Sequence, residues 1–440
     1  MKTIPNIQDA NLKDKVVLVR VDHNVAQKHF IRDPFRIDRT FGTLFHILSK
    51  GGKLILCSHV GRPRDKVTGE ICMNSKYDVK PIVDYLKQKL YTNFIVPDFK
   101  ENHDNGGYVG IDTSVNLLIR RLRKGEIDGI YLPNLRWFIG EEAGGLESEK
   151  FGGQLAGLAD VFVNDAFGSW QPHTSTINVT HFLPSYTGYL MQQEIQSIDA
   201  ILNPIKPIVA IIAGSKFDTK IGPLHSLLKK VDHLLLGGVL YNAYLAVKYN
   251  VYIKGIDKDD LIIAKKFLEL SKIYEGKLIE PEYIVETDIL DTREENKYRT
   301  LKVSDLKPGT KLNYIVDVDP KSYENKEIIN CLLGSKTIFV NAVMGYMPFY
   351  FEGTMELYKL IGKNVKAAKL FGGGDTLQEF RTLLPGQYIH AVDNPSYYFF
   401  SGGGTILKAI HEGSVKGLAP IRALMKNKKM IENNETFMLH

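Results

Sequence analysis

Short runs of consecutive apolar residues alternate with amphipathic segments along most of the chain. Apolar runs bounded by turn residues are typical of strands buried on both faces, whereas apolar residues three and four apart are typical of helices. The predicted strands are KVVLVRVD (15–22), KLILCSHV (53–60), GIYLPN (129–134), DVFVNDAF (160–167), PIVAIIAG (207–214), HLLLGG (233–238), TIFVNAV (337–343) and KLFGGG (369–374). The clearest predicted helices are VKPIVDYLKQKL (79–90), LIIAKKFLELSKIY (261–274) and GTMELYKLIGK (353–363).

This strand–helix alternation predicts the α/β fold class, with parallel sheets covered by helices on both faces. A chain of 440 residues is long enough for two substantial cores. The segment LMQQEIQSIDAIL (190–202) predicts one more helix near the midpoint, between PSYTG and NPIKP. We therefore predict two Rossmann-like, doubly wound parallel-sheet domains joined by a hinge helix.

The domain limits follow from the position of this helix. We expect an N-terminal domain over 1–188, the hinge helix over 189–203 and a C-terminal domain over 204–409. The last segment, 410–440, is expected to pack partly on the N-terminal domain. Its end, KNKKMIENNETFMLH (426–440), predicts a flexible polar tail.

The composition bears on whether the protein binds a membrane, a metal or a nucleic acid. Hydrophobic and charged contents of 44% and 24% are ordinary globular values, and no apolar run is long enough to span a membrane. Cys57, Cys72 and Cys331 have no metal-like spacing, so we expect reduced thiols in a cytoplasmic protein. The basic segment IRRLRKG (119–125) is typical of a solvated helix face. A small anionic substrate explains the net charge of +6 at least as well as nucleic-acid binding does, so we expect no nucleic-acid or membrane partner.

Cationic and polar side chains follow the predicted strands of the first half. Ligands of open α/β sheets lie beyond the carboxyl ends of the strands. Arginine pairs bidentately with phosphate or carboxylate, so its recurrence there predicts a pocket for a small hydroxylated anion. The residues concerned are Asp22, Asn24, Arg36, His59, Arg62 and Arg136.

The second half has glycine at the corresponding places. Glycines at a strand-to-helix turn let the backbone approach a ligand and direct its N–H groups at a phosphate. Gly372, Gly373 and Gly374 are followed by Asp375, which could hold the magnesium ion of a nucleotide. The other segments of this kind are AGSK (213–216), with Lys220 one helical turn after Lys216, LLGG (235–238) and NAVMGY (341–346).

No nucleophile with an adjacent base stands out in the sequence. A carboxylate acceptor is already ionised at neutral pH and requires no base, so phosphoryl transfer to it needs only positioning and cations. We therefore predict a kinase that binds a nucleotide on the second half and a small carboxylate on the first. Transfer would require the domains to close and exclude water.

The motifs VLVRVDHNV, SHVGRP, NLRWFIGEE, LADVFVNDAFG, AGSK, LFGGGDT and SGGGT resemble, in this order, those of the phosphoglycerate kinases. The resemblance implies a two-domain, hinge-bending monomer. It implies reversible phosphoryl transfer between ATP and 3-phosphoglycerate in glycolysis, with Mg²⁺ accompanying ATP or ADP.

The resemblance also implies residue roles. Asp22, Asn24, Arg36, His59, Arg62 and Arg136 would bind 3-phosphoglycerate, and Arg36 would also take part in catalysis. Lys216 would stabilise the transferring phosphoryl group, and Asp375 would hold magnesium. The nucleotide would contact Gly214, Lys216, Lys220, Gly237, Gly238, Asn341, Gly372, Gly373, Gly374 and Thr376.

Several positions depart from the family pattern. No Arg or Lys lies between Gly168 and Lys206, so a basic substrate contact is missing from SWQPHTST (169–176). The other departures are Ala213 before Gly214, Thr219, Val239, EPEY (280–283), VNAV (340–343), Pro348 and an insertion, DNPSYYFF (393–400). They leave open a pseudo-enzyme or binding protein on this fold, and a kinase for another small carboxylate.

Overall fold

The computed structural model describes residues 4–27, 30–31, 33–102, 106–214, 221–433 and 437. The chain divides into two compact units, Met1–Ile195 with Lys416–His440, and Gln196–Val415. None of the helices in the described part of the chain is long and apolar enough to cross a membrane.

The first unit is built on a six-stranded parallel sheet. The strands of this unit are β1 (Val16–Val21), β2 (Ala26–Gln27), β3 (Phe30–Ile31), β4 (Lys53–Cys57), β5 (Phe94–Ile95), β6 (Gly129–Tyr131), β7 (Val161–Asp165) and β8 (Ser185–Thr187). The order in the sheet is β5-β6-β4-β1-β7-β8, and β2 and β3 form a separate antiparallel pair. The helices of this unit are α1 (Phe35–Asp38), α2 (Phe41–Ser49), α3 (Lys80–Leu90), α4 (Val115–Arg123) and α5 (Gly145–Ala156). The next helix, α6 (Tyr189–Leu202), contains the point at which the chain divides into its two units.

Alternate residues of β1 explain why its sequence is almost continuously apolar. Val16 and Leu18 belong to one buried cluster, and Val17 and Val19 belong to another. Successive side chains of a strand point to opposite faces, so both faces of this sheet are covered. Arg20, the one charged residue of the strand, is fully buried as well.

The second unit contains a six-stranded parallel sheet and two smaller sheets. The strands are β9 (Ile208–Gly214), β10 (His233–Gly237), β11 (Tyr252–Ile253), β12 (Leu278–Ile279), β13 (Tyr283–Thr287), β14 (Tyr298–Lys302), β15 (Lys311–Leu312), β16 (Tyr314–Val318), β17 (Thr337–Asn341), β18 (Ala368–Gly372) and β19 (Tyr397–Phe400). The main sheet has the order β12-β10-β9-β17-β18-β19. Counting only its own strands, this is the order 3-2-1-4-5-6 of dinucleotide-binding Rossmann folds. The smaller sheets are β14-β13-β16 and β11-β15.

Helices follow most strands of the second unit. They are α7 (Ile221–Lys230), α8 (Gly238–Lys248), α9 (Lys258–Ile273), α10 (Lys326–Gly334), α11 (Glu352–Lys363), α12 (Gly374–Leu383), α13 (Pro385–Val392) and α14 (Gly403–Glu412). The last helix, α15 (Ala419–Glu432), belongs to the first unit. Short 3₁₀ helices cover Ile7–Asp9, Ser75–Tyr77, Leu135–Trp137, Thr174–Thr176, Asn178–His181, Val303–Asp305, Pro320–Glu324 and Val415–Gly417.

The predicted fold class is confirmed, since each predicted strand overlaps a strand of one of the two parallel sheets. Two expectations need correction. The prediction of a flexible tail is wrong for residues 426–432, because α15 runs to Glu432 and buries Asn427. Residues 393–400, set apart in sequence as an insertion, contain β19, the edge strand paired with β18.

Candidate active site

Polar side chains follow the carboxyl ends of neighbouring strands in the first unit. Asp22 follows β1, and its Oδ2 lies 3.3 Å from Nη1 of Arg36 in α1. Asn24 accepts a hydrogen bond of 2.8 Å from the backbone N–H of Gly61, beyond β4. The sheet therefore brings residues from distant parts of the sequence to one edge, as strand order requires.

His59 lies beyond β4 and is almost fully buried. Its Nδ1 is 2.9 Å from Nη2 of Arg20. Burial, followed by the charges of Arg20, Arg136 and Arg36 and by His173, holds the pKa of His59 well below its ordinary value of 6.5. The imidazole is therefore neutral at physiological pH.

Arg136 follows β6 in a short 3₁₀ turn. Asn134 caps this turn by accepting a hydrogen bond of 3.1 Å from the N–H of Arg136. The Nη1 atom donates to the carbonyl of Gly61 at 2.6 Å, and Nε lies 2.9 Å from Oε1 of Glu142. A substrate anion that binds Arg136 must therefore compete with Glu142.

The segment 169–176, which contains no Arg or Lys, lies against this cluster. Nε2 of His173 is 3.5 Å from Nη2 of Arg136, and burial first and Arg136 second lower the pKa of His173 to about 4. Thr174 donates to the carbonyl of Gly140 at 2.7 Å, and Ser175 donates to Glu141 at 2.6 Å. The changed loop is thus joined to the NLRWFIGEE segment by buried hydrogen bonds.

Sequence reasoning missed Arg20, whose contacts join the loop to His59. Arg20 donates from Nε to Oγ of Ser175 at 2.9 Å and from Nη1 to the carbonyl of Val21 at 2.5 Å. The signal was available as a single arginine within the apolar run VVLVRVD. Arg62, in contrast, is exposed.

In the second unit, the glycines predicted to contact nucleotide lie where strands meet helices. Gly214 ends β9 and Gly237 ends β10, and Gly214 pairs with Gly238 in an isolated bridge. Gly238 has a φ of +60°, and a Cβ there would lie 3.1 Å from the Gly214 carbonyl oxygen. A Cβ at Gly237 would lie 2.5 Å from Sδ of Met344, so these two turns have no room for side chains.

The turn after β18 leads directly into α12. Gly373 has a φ of +113°, and the Nδ2 of Asn341, at the end of β17, donates to the carbonyl of Gly372 at 2.6 Å. Thr376 is buried in the first turn of α12, whereas Gly374 and Asp375 are exposed. The N–H groups at the start of a helix favour anions, and this helix is ten residues long.

The exposed carboxylate of Asp375 suits a magnesium ion that shares its coordination with nucleotide phosphates. Among the described residues, His, Cys, Asp and Glu form no group of three that could hold a metal ion alone. Magnesium usually binds one or two carboxylates together with substrate phosphates and water, so a lone carboxylate fits that mode. Lys216 and Lys220 lie outside the described residues.

The chain has two α/β units, each built on a parallel sheet. One has a buried cation cluster and the other has glycine turns at strand ends, which is the architecture of a two-domain kinase. A sequence model of the phosphoglycerate kinase family matches residues 7–413. The chain belongs to the phosphoglycerate kinase family, as its motifs predicted.

Relatives align over nearly the whole chain. It is 33% identical over 433 residues to phosphoglycerate kinase of Gloeothece citriformis, covering 96% of this chain and 98% of that protein. It is 32% identical over 432 residues to phosphoglycerate kinase 3, cytosolic, of Arabidopsis thaliana, covering 95% and 98%. The structure of phosphoglycerate kinase from Coxiella burnetii superimposes with a TM-score of 0.73 at 26% identity, covering 96% of this chain and 99% of that one.

Proposed function

We propose that the protein catalyses reversible phosphoryl transfer between ATP and the carboxylate of 3-phosphoglycerate, yielding ADP and 1,3-bisphosphoglycerate, as a step of glycolysis. Membership of the phosphoglycerate kinase family over residues 7–413 supports this function. The structural observation that carries it is the cation cluster beyond β1, β4 and β6, where Arg36 lies against Asp22, Arg136 against Glu142 and His59 against Arg20.

The first unit binds the acceptor in this proposal. The phosphate and carboxylate of 3-phosphoglycerate need cationic partners, which Arg36, Arg62 and Arg136 provide. Asp22 and Asn24 are available to the substrate hydroxyl and to the arginines themselves. A carboxylate oxygen attacks the γ-phosphorus, the bond to the β,γ-bridging oxygen breaks, and ADP leaves without any proton transfer.

The second unit binds the nucleotide. Backbone N–H groups around Gly373 and at the start of α12 face phosphate, and Asp375 holds Mg²⁺, which neutralises charge on the phosphates. We assign Lys216 to the transferring phosphoryl group and Lys220 to the nucleotide phosphates on the strength of the family motif. We assign Gly214, Gly237 and Gly238 to contacts with the rest of the nucleotide, also on the strength of the family motif.

The reaction itself provides the direct test. Purified protein with MgATP and 3-phosphoglycerate should form ADP and an acyl phosphate that hydroxylamine traps. Thermal unfolding should shift upward separately with MgADP and with 3-phosphoglycerate, because each ligand binds the folded state. A protein stabilised by both ligands that forms no hydroxamate would be a pseudo-enzyme, and one stabilised by nucleotide alone would use another acceptor.

A substitution at Lys216 tests its role. If Lys216 contacts charge that develops in the transition state, Lys216→Ala should lower kcat by about 10²–10³ with a smaller change in KM. Lys220→Ala is the matched control, because loss of a nucleotide contact should mainly raise the KM for ATP. An unchanged kcat in Lys216→Ala would rule out this assignment.

We also propose that the enzyme is a cytoplasmic monomer whose residues 189–203 act as the hinge between domains 1–188 and 204–409. The division of the chain between Ile195 and Gln196, inside α6, supports this hinge. The cytosolic phosphoglycerate kinase of Arabidopsis thaliana supports the location. Gel filtration would test the monomer, and a calibrated mass of two chains would refute it.

A further inference from the structure

A continuous chain of buried hydrogen bonds leads from Glu141 to His59. Oγ of Ser175 donates to Oε1 of Glu141 at 2.6 Å and accepts from Nε of Arg20 at 2.9 Å. Nη2 of Arg20 then lies 2.9 Å from Nδ1 of His59. The backbone N–H of Ser175 adds a second bond to Glu141, at 3.0 Å from Oε2.

The direction of each bond follows from the groups involved. A guanidinium has five N–H donors and no acceptor, so Nδ1 of His59 must be the acceptor. A neutral imidazole carries its single proton on the other nitrogen in that case, which places it on Nε2. Among the described residues, Nε2 of His59 makes no hydrogen bond of its own, so its N–H is left for a ligand.

The residues of this hydrogen-bond chain are buried, which restricts their orientations. Arg20, Ser175 and Glu141 are each at most 1% exposed. Glu141 is the carboxyl group at the end of the chain. Burial raises the pKa of Glu141, and the nearby charge of Arg20 acts in the opposite direction. A hydroxyl that accepts from an arginine and donates to a carboxylate has one orientation, and Ser175 therefore fixes the rotation of the Arg20 side chain.

We propose that Glu141 and Ser175 are positioning residues that act through Arg20 to hold His59 as the neutral Nε2–H tautomer, which donates a hydrogen bond to an anionic oxygen of the acceptor. This inference rests on the proposed function, because it takes the acceptor to be 3-phosphoglycerate. It gives the loop SWQPHTST a positive role in substrate binding, although the loop carries no cation. The other groups whose charge lowers the pKa of His59 are Arg136, His173 and Arg36.

The tautomer can be measured without substrate. Full-length protein labelled with ¹⁵N-histidine is examined by long-range ¹H–¹⁵N correlation near neutral pH, where an ordinary histidine is mostly neutral. The His59→Gln variant, which lacks one ring, assigns the signals. We expect an unprotonated Nδ1 and a protonated Nε2. A protonated Nδ1, or an imidazolium, would overturn the proposal.

Kinetics of Ser175→Ala then test the positioning role. We expect the KM for 3-phosphoglycerate to rise about tenfold, with kcat changed much less and a mixture of His59 tautomers in the spectrum. The matched control is Thr174→Val, which removes a buried hydroxyl of the same loop that bonds Gly140 and not Arg20. This control should leave both the KM and the tautomer unchanged.

A conservative variant separates positioning from folding. Ser175→Thr keeps the hydroxyl and should restore the wild-type tautomer and most of the affinity. If Ser175→Ala leaves the tautomer and the KM unchanged, or if Thr174→Val raises the KM equally, the proposal is wrong. The spectrum is recorded without substrate, so it tests the tautomer independently of the kinase reaction. Wild-type protein that has the Nε2–H tautomer but forms no hydroxamate would therefore refute the kinase function alone.

Discussion

Asp165, the last residue of β7, is a buried carboxylate that should limit the stability of the first unit at neutral pH. Its Oδ1 accepts a hydrogen bond of 3.0 Å from the N–H of Met191, at the start of α6. Its Oδ2 has no hydrogen-bond partner in the part of the chain that the structure describes. Burial raises the pKa of Asp165 to about 6, despite bonds from Thr43, Met191 and Leu190.

The sign and size of the effect follow from this shift. Between its ordinary pKa of 3.8 and about 6, the folded state binds more protons than the unfolded state, so the free energy of unfolding falls as pH rises. A shift of about 2 units corresponds to about 3 kcal/mol at high pH. About half of that cost, ~1.5 kcal/mol, should develop between pH 5 and pH 8.

Asp165→Asn tests this expectation, because an amide is neutral and resembles the protonated acid in shape. The variant should be more stable than the wild type by up to about 3 kcal/mol at pH 8, and by less at pH 5. The measurement is urea unfolding at both pH values, followed by tryptophan fluorescence. The chain has two tryptophans, Trp137 and Trp170, and both belong to the unit that contains Asp165.

Asp160, just before the other end of β7, is a matched control of opposite sign. Burial acts upward on its pKa, but the Arg123 side chain and the N–H of Val16 lower the pKa of Asp160 below its ordinary value. Asp160→Asn should therefore destabilise the protein to the same extent at pH 5 and pH 8, because the stability that a lowered pKa contributes is lost only as pH falls below the ordinary value of 3.8. The reasoning fails if Asp165→Asn is less stable than the wild type at pH 8, or keeps the wild-type difference between pH 5 and pH 8.

Three further substitutions concern the proposed site. Gly373→Ala should raise the KM for ATP about tenfold, because a Cβ at a φ of +113° would lie 2.8 Å from Nδ2 of Asn341; an unchanged KM would contradict this. Asp375→Asn should raise the magnesium concentration needed for half-maximal rate, measured by titration at fixed ATP, and an identical titration would remove Asp375 from the metal site. Pro172→Arg should lower the KM for 3-phosphoglycerate by roughly 10–100-fold if it restores the missing charge-assisted contact. A higher KM would show that the loop needs its own sequence.

The sequence predicts the parallel strands well, because strands covered on both faces must be apolar at every position. Short strands at the edge of a sheet are harder to predict in this way. The strand Tyr397–Phe400 is defined by its pairing with β18, which no local pattern records, and Tyr397 is only half-buried. A polar pattern was likewise misleading in α15. Asn427 is buried there because its side chain donates to the carbonyls of Thr180 and Leu183 and accepts from the N–H of Ser185.

The candidate site divides in the same way. Residues directly after strands, such as Asp22 and His59, could be predicted because strand order brings the carboxyl ends of strands together. Arg20 is visible in the sequence only as one arginine within an apolar run, and its contacts could not be predicted because its partner Ser175 is 155 residues away. A buried arginine is tolerable only when its donors are bonded, and those partners are visible only in the folded chain.

The loop SWQPHTST lacks Arg and Lys but contacts residues of the proposed acceptor site. It has no cation to offer a substrate, yet its hydroxyls bond Arg20, Glu141 and the carbonyl of Gly140. Arg136 is meanwhile partly neutralised by Glu142. Removing one charge-assisted contact weakens binding of the acceptor, whereas losing Ser175 would disturb the orientation of Arg20 and His59. We therefore expect a kinase with a high KM for 3-phosphoglycerate and not an inactive protein, because the loop offers no Arg or Lys to the substrate but keeps its hydrogen bonds to Arg20 and Glu141.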